Sequence, residues 1–456
     1  MSRQREFTEK IRRLHGRRAA APRALVDTFG CQQNVADSQR IMGMLEAMGC
    51  TFTDKAEEAD IVVLNTCAIR DHAEQRVYGN LGALTHTKKA NPEQIICLCG
   101  CMAQRPEVAE RVRQSYRHVD LVFGPQALWR FPELLHQVYS RRRRVFSVAD
   151  EPGQIAEGIP VVREGSIRAW VSIMYGCDNF CSYCIVPYVR GRERSRELLE
   201  VVAEVRSLAE QGITEITLLG QNVNSYGKGM GVDFADLLKA VNGVDGIRRI
   251  RYMSSHPKDL TPRLMTAIAE NDKVCHHMHL PVQSGSTAIL ERMNRRYTRD
   301  GYLKLVEDLR RTVPDIELTT DVIVGFPGET DRDFEDTLSL MDQVGYAAAF
   351  TFKYSPRKGT RAAEAEDQIP EQVKKERLKR LNDLQARKTA ENNRKYLGHR
   401  GEVLIEGFDK REQTVLFGKL DTFKMVYFPG DEKLLGTYQT VKVTECARNS
   451  LLGRME

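Results

Sequence analysis

The sequence predicts an α/β protein in three parts. These are an N-terminal parallel α/β domain (22–140), a central partial (β/α)6 barrel (163–393) and a small antiparallel β barrel (396–456). Three observations carry this. Short apolar runs alternate with helical stretches from about residue 24, the pattern of parallel strands covered on both faces. A Pro/Gly-containing stretch at 149–166 reads as linker, and a second strand–helix series follows it. From residue 399 the texture changes to short alternating runs bounded by turn residues.

The start, "MSRQREFTEKIRRLHGRRAAAP", is basic and lacks an apolar stretch, so it is no secretory signal. Its Glu6 and Glu9 count against a transit peptide, and it reads as a disordered basic arm. "ALVDTFG" (24–30), "DIVVLNT" (60–66), "QIICLCG" (94–100) and "VDLVFG" (119–124) are the strands of the first domain, with helices after the first two. "RRRRV" (141–145) reads as a solvated start to the linker, with RNA contact the other reading. The second series places strands at 169–174, 215–220, 249–255, 277–280, 316–325 and 348–355. Six repeats in about 200 residues fit part of a barrel better than a doubly wound sheet, although length does not separate the two. A charged amphipathic helix spans 370–398. "GEVLIEGF", "TVLFGKL", "KMVYF" and "YQTVKVTEC" are the strands of the last domain.

Composition narrows the class. The chain has 456 residues, 41% of them hydrophobic and 29% charged, which suits a globular protein with sizeable cores. No apolar run approaches the roughly 18 residues of a membrane span. Eleven scattered cysteines argue against a disulfide framework and for a reducing cytoplasm. A net charge of +6 is only a mild lean towards polyanions such as RNA.

The cysteines that matter form two sets of three. Cys31, Cys67 and Cys101 each follow a predicted strand of the first domain. Parallel strands end on one edge of the sheet, where ligands of open α/β folds bind, so residues over 30 apart in sequence converge there. Three buried, inert thiols are the plainer alternative; zinc is another, but it would want a fourth ligand. Cys50, Cys97, Cys99, Cys275 and Cys446 read as packing residues. The second set, Cys177, Cys181 and Cys184, is spaced C-x3-C-x2-C after the first barrel strand, with Tyr183 before the last cysteine. Three thiolates on a four-iron cluster leave one iron without a protein ligand, which is where chemistry can occur.

This loop resembles the cluster motif of the radical S-adenosylmethionine superfamily. The resemblance implies that S-adenosylmethionine chelates the open iron and is cleaved by one electron to methionine and a 5′-deoxyadenosyl radical. It also implies cofactor-binding roles for Tyr183, for Gly220 and Gln221 in "LLGQN", for Gln283 and Ser284 in "HLPVQSGS", and for Gly325 and Glu329 in "VIVGFPGET". The superfamily often has Gly-Gly-Glu where this chain has Gly220 and Gln221.

Two triads, a barrel and a terminal β domain in this order resemble the methylthiotransferase family, from about residue 22 to 456. The end resembles its RNA-associated TRAM domain. "TFGCQQNVADS" and "GCDNFCSYCIVPYVRGRERSR" look most like the branch that modifies isopentenyladenosine beside the tRNA anticodon, although that branch usually has Met at the place of Gln33. The resemblance implies two 4Fe–4S clusters. The auxiliary one, on Cys31, Cys67 and Cys101, presents sulfur that one S-adenosylmethionine methylates. The radical made at Cys177, Cys181 and Cys184 removes hydrogen from C2 of the adenine, which then takes the methylated sulfur. The two clusters are expected to face one another across an anticodon-loop base splayed out of its stack. A monomer, a tRNA anticodon stem-loop, an electron donor, a sulfur source and no membrane complete the expectation. Arg190, Arg192, Arg194 and Arg196 either meet phosphates or pair with Glu193 and Glu197. Sister branches act on threonylcarbamoyl-adenosine or on a ribosomal-protein aspartate, and a non-catalytic metal-containing RNA-binding protein is the reading from another class.

Overall fold

The computed structural model describes residues 2–68, 71–148, 153–163 and 167–456. The chain forms two compact units. One comprises Met1–Gly165, Met174–Asp178 and Ile185–Arg196; the other comprises Ser166–Ile173, Asn179–Cys184 and Glu197–Glu456.

The first unit opens with α1 (Ser2–His15), β1 (Arg23–Thr28), α2 (Gln32–Ala47), β2 (Thr51–Phe52) and β3 (Ile61–Thr66). It continues through α3 (Asp71–Ala90), β4 (Ile95–Gly100), α4 (Pro106–Ser115), β5 (Leu121–Phe123), α5 (Phe131–Arg141) and β6 (Val145–Ser147). The strands make one parallel sheet in the order β2-β1-β3-β4-β5-β6. β3 and β4, "IVVLNT" and "IICLCG", are buried at every position because both faces are covered. Alternate residues serve opposite layers: Val63, Cys97 and Cys99 pack with Ile41 and Leu45, while Val62, Leu64, Ile96 and Leu98 pack with Val77 and Leu81.

Two expectations are corrected here. The basic start is a helix rather than a disordered arm, since its spacing brings Gln4, Ile11 and His15 to one buried face. Ile11 joins the core, and His15 Nδ1 lies 2.8 Å from the Met48 carbonyl. The stretch beginning "RRRRV" is not free linker. Val145 opens the edge strand β6 opposite Leu121, and Arg144 donates to the carbonyls of Val119 and Arg113, each at 2.8 Å. Residues 149–152 and 164–166 of the expected linker lie outside the described residues.

The second unit starts with β7 (Arg168–Ser172). The short strands β8 (Met174–Tyr175) and β9 (Arg194–Ser195) belong to the first unit and pair antiparallel. Then come β10 (Glu215–Leu219), β11 (Arg249–Tyr252), β12 (His277–His279), β13 (Glu317–Val324) and β14 (Ala348–Lys353), separated by helices. The parallel sheets β7-β10-β11 and β12-β13-β14 are joined by a bridge from Ile250 to Val274, which makes the expected partial barrel. The helix Glu371–Arg394 leads to β15 (Arg400–Phe408), β16 (Val415–Lys419), β17 (Met425–Pro429), β18 (Tyr438–Cys446) and β19 (Leu451–Met455). These close as β15-β16-β17-β19-β18 around Val403, Ile405, Val426, Phe428 and Val443. The pattern did not reveal β19, whose pairing with β17 is parallel, not antiparallel. Among the described residues no helix is long and apolar enough to cross a membrane.

Candidate functional site

Register brings the first cysteine set together. Thr28 stands opposite Asn65, and Thr66 opposite Gly100, so three neighbouring strands end almost level, each about 4.8 Å from the next. Cys67 and Cys101 directly follow paired residues, and Cys31 is the N-cap of α2. A clasp of amides locks these ends. Asn34 Nδ2 donates to Asn65 Oδ1 at 3.2 Å and to the Thr66 carbonyl at 3.0 Å. Asn65 Nδ2 donates back to the Asn34 carbonyl at 2.8 Å and to Ser38 Oγ at 2.9 Å. Gly100 has φ +91°, and a Cβ there would collide with Asn65 and Thr66, so only glycine fits before Cys101.

Cys67 and Cys101 are 2% and 3% exposed. Cys31 is half-buried and donates to Asn34 Oδ1 at 3.4 Å. Burial pushes the Cys101 thiol up to about 12; Arg190 opposes the rise, and Cys67 and Cys31 add to it. Arg190, itself buried, donates from Nε to Cys101 Sγ at 3.1 Å and from Nη2 to Asp37 Oδ2 at 2.9 Å. Ala68, Ile185 and Val189 pack around Cys101. Three thiols beside a buried cation, shielded by apolar side chains, fit an iron–sulfur cluster held by thiolates. Among the described residues no His, Cys, Asp or Glu group closes up tightly enough to grip a single ion; thiolates on separate irons of a cube need not do so.

The second set sits on a loop held at several points. In the first unit, the Cys177 amide donates to the Gly191 carbonyl at 3.2 Å. Gly176 (φ +77°) precedes it, where a Cβ would strike the Arg192 carbonyl. In the second unit, the Cys184 amide donates to the Cys181 carbonyl at 2.9 Å, and the Ser182 amide to the Met293 carbonyl at 3.0 Å. Arg295 Nη1 lies 3.5 Å from Cys181 Sγ, so this set too has a buried cation on a sulfur. Tyr183 packs edge-on against Phe326, centroids 6.5 Å apart.

The barrel's strand ends carry buried polar atoms without partners: Gln221 Oε1 and Asn224 Oδ1 after β10, Ser255 Oγ after β11, and Tyr354 Oη after β14. Such an atom costs about 1–3 kcal/mol unless a ligand or water meets it, and these four lie at the C-terminal mouth, the end of such barrels where ligands bind. Gly220 is buried beside Gln221. Gln283 holds an unusual φ of +71°, with its amide donating to the Asp321 carbonyl at 2.9 Å. Ser284 and Glu329 are turned to internal work. Ser284 Oγ lies 3.3 Å from Thr337 Oγ1. Glu329 Oε2 accepts from the Gly325 amide and from Arg377, both at 2.7 Å, while its Oε1 lacks a partner. Gly325 has φ +69° and packs against the Lys374 stem.

Each of the four arginines after the cluster loop has a partner within the chain. Arg190 pairs with Asp37 and Arg192 with Asp178, whose Oδ1 lies at 2.7 Å. Arg194 donates to the Arg190 carbonyl at 3.2 Å, and Arg196 pairs with Glu157. Arg190 and Arg196 are buried, and Arg192 is exposed. Sequence reasoning passed over Arg295, Asp37, Asn34 and Asn65; only Asn65, a polar residue at the end of an apolar run, left a visible trace. Four of the five remaining cysteines are buried packing residues, and Cys446, half-buried, donates to the Asn393 carbonyl at 3.0 Å.

Three family models match: Uncharacterized protein family UPF0004 over 23–124, the Radical SAM superfamily over 171–341, and the TRAM domain over 394–455. A tRNA-2-methylthio-N(6)-dimethylallyladenosine synthase of Alkaliphilus oremlandii is 52% identical, covering 94% of this chain and 92% of its own. One of Acetivibrio thermocellus is 48% identical over 99% of this chain and 96% of its own. Among solved structures, the radical S-adenosylmethionine methyltransferase TsrM of Kitasatospora setae, with cobalamin and a 4Fe–4S cluster bound, superposes with a TM-score of 0.54. It is 15% identical and covers 75% of this chain and 77% of its own, a likeness of fold alone. The chain belongs to the tRNA-2-methylthio-N(6)-dimethylallyladenosine synthase family of radical S-adenosylmethionine proteins.

Proposed function

We propose that this protein is a tRNA methylthiotransferase. It replaces the C2 hydrogen of N6-isopentenyladenosine beside the anticodon with a methylthio group. The near-full-length likeness to synthases of that name carries the reading, and the cysteines that follow the level ends of β1, β3 and β4 support it. Cys31, Cys67 and Cys101 would hold the auxiliary cluster, and Cys177, Cys181 and Cys184 the one that works with S-adenosylmethionine. When bound, these groups supply a one-electron route through an unactivated aromatic C–H bond, together with the sulfur and methyl that replace the hydrogen.

The chain's own residues bind and shield. Arg190 and Arg295 place a buried positive charge on a cysteine of each set and offset thiolate charge where water is scarce. Tyr183, packed on Phe326, lines the approach to S-adenosylmethionine, and Gln221, Asn224 and Ser255 offer it unspent hydrogen-bonding atoms. The C-terminal β barrel contacts the anticodon stem-loop. The protein works in the cytoplasm as a monomer, with an electron donor and a sulfur source.

Mass spectrometry of tRNA nucleosides from a deletion strain tests this. We expect 2-methylthio-N6-isopentenyladenosine to vanish and N6-isopentenyladenosine to accumulate. Unchanged methylthio-adenosines would overturn the reading and favour a protein substrate.

A further inference from the structure

We infer that Arg190 is a positioning residue for the auxiliary cluster: its guanidinium holds Cys101 by an N–H···S bond and sets the cluster's reduction potential. The inference rests on the reading of Cys31, Cys67 and Cys101 as cluster ligands. Its observations lie within the first unit.

Arg190 is 5% exposed, as deep as a typical core residue. Its guanidinium is committed on two sides, with Nε 3.1 Å from Cys101 Sγ and Nη2 2.9 Å from Asp37 Oδ2. The planar fork cannot turn without losing one of them. The backbone is pinned as well. The Arg190 carbonyl accepts from Arg194 at 3.2 Å, and the next carbonyl, of Gly191, accepts from the Cys177 amide at 3.2 Å. Ile185 and Val189, five residues and one residue before it, share an apolar cluster with Cys101 and Ala68. Two adjacent residues thus tie a cysteine of one set to a cysteine of the other.

Hydrogen bonds to sulfur and nearby positive charge favour the reduced, more negative form of an iron–sulfur cluster and raise its potential. Asp37 acts in the opposite sense, so the pair is a graded device. A purely structural ion pair would give the two partners matching mutant phenotypes. A tuning pair gives them opposite ones.

The test uses the full chain with Cys177, Cys181 and Cys184 changed to Ala, reconstituted anaerobically, so that only the auxiliary cluster assembles. Iron analysis and an EPR-monitored redox titration are run on this parent and with Arg190→Gln, Arg190→Lys or Asp37→Asn added. About four irons are expected in the parent, one cube; none would sink the ligand assignment and the inference with it. Given a loaded parent, the potential should fall in Arg190→Gln, fall less in Arg190→Lys, and rise in Asp37→Asn. Where Arg190→Gln does not load, Arg190→Lys and Asp37→Asn decide by the same opposition of sign. Equal potentials throughout, or shifts of one sign for both partners, would overturn the inference.

Discussion

Asn65 follows the apolar run "IVVL" in β3, and the reason lies on α2. Its side chain and that of Asn34 satisfy each other and the strand-end carbonyls, holding β3 against the start of α2. Asn65→Ala strands buried partners at about 1–3 kcal/mol. Urea unfolding of the metal-free chain should show that loss, and an unchanged midpoint would deny the clasp a structural role. Cys67→Ala is different in kind. Iron should drop by about half and methylthio insertion should cease, while reductive cleavage of S-adenosylmethionine persists. Loss of both activities would mean that the two sets do not work as separate sites. Cysteine spacing made the two triads legible because thiols are scarce. Arg190 and Arg295 were hidden because arginine is common here, and nothing in "VPYVRGRERSR" says which guanidinium turns inward.

Among elements, legibility followed length and contrast. β3, β4 and β13 are six to eight residues long and rich in Val, Ile and Leu, so pattern alone marks them. β2 and β6 have two and three residues at the sheet's edges, too few for any period to register. β19 is cut by Gly453 and takes its place from its neighbours β17 and β18. α1 was misread because charge masked its face: eleven of its 14 residues are polar, and the apolar signal reduces to Phe7, Ile11 and Leu14. Ile11 is fully buried in the core of the first unit. Ile11→Ala should therefore cost about 2–5 kcal/mol, read as a lower thermal midpoint of the metal-free chain. Arg5→Ala, on the exposed side, should change it little. Equal midpoints for the two would restore the picture of a loose arm.

At the largest scale, the second unit joins its two barrels through charge. The N-terminal ends of the (β/α) strands carry Glu215, Arg249, Arg251 and His277, all buried. Arg249 donates to the Lys419 carbonyl and Arg251 to those of Leu420 and Asp421, each at 2.8 Å. Arg251 Nε also stands 3.0 Å from Glu215. Phe423, held at φ +69°, stacks on His277 with centroids 4.6 Å apart. The C-terminal barrel thus presents backbone carbonyls to a base that supplies guanidinium donors, a junction invisible to hydropathy because the acceptors are main-chain. Arg251→Met leaves Glu215 buried without its nearest cation and strips two carbonyls of their donor, at a cost of about 3–5 kcal/mol. The exposed pair Arg248–Glu402 is the control, since Arg248→Ala should cost no more than about 1 kcal/mol. Limited proteolysis should release the segment from about residue 396 in the Arg251 variant well below the temperature at which it does so in the Arg248 variant. Matching release temperatures would mean that apolar contact, not this buried charge, keeps the two barrels together.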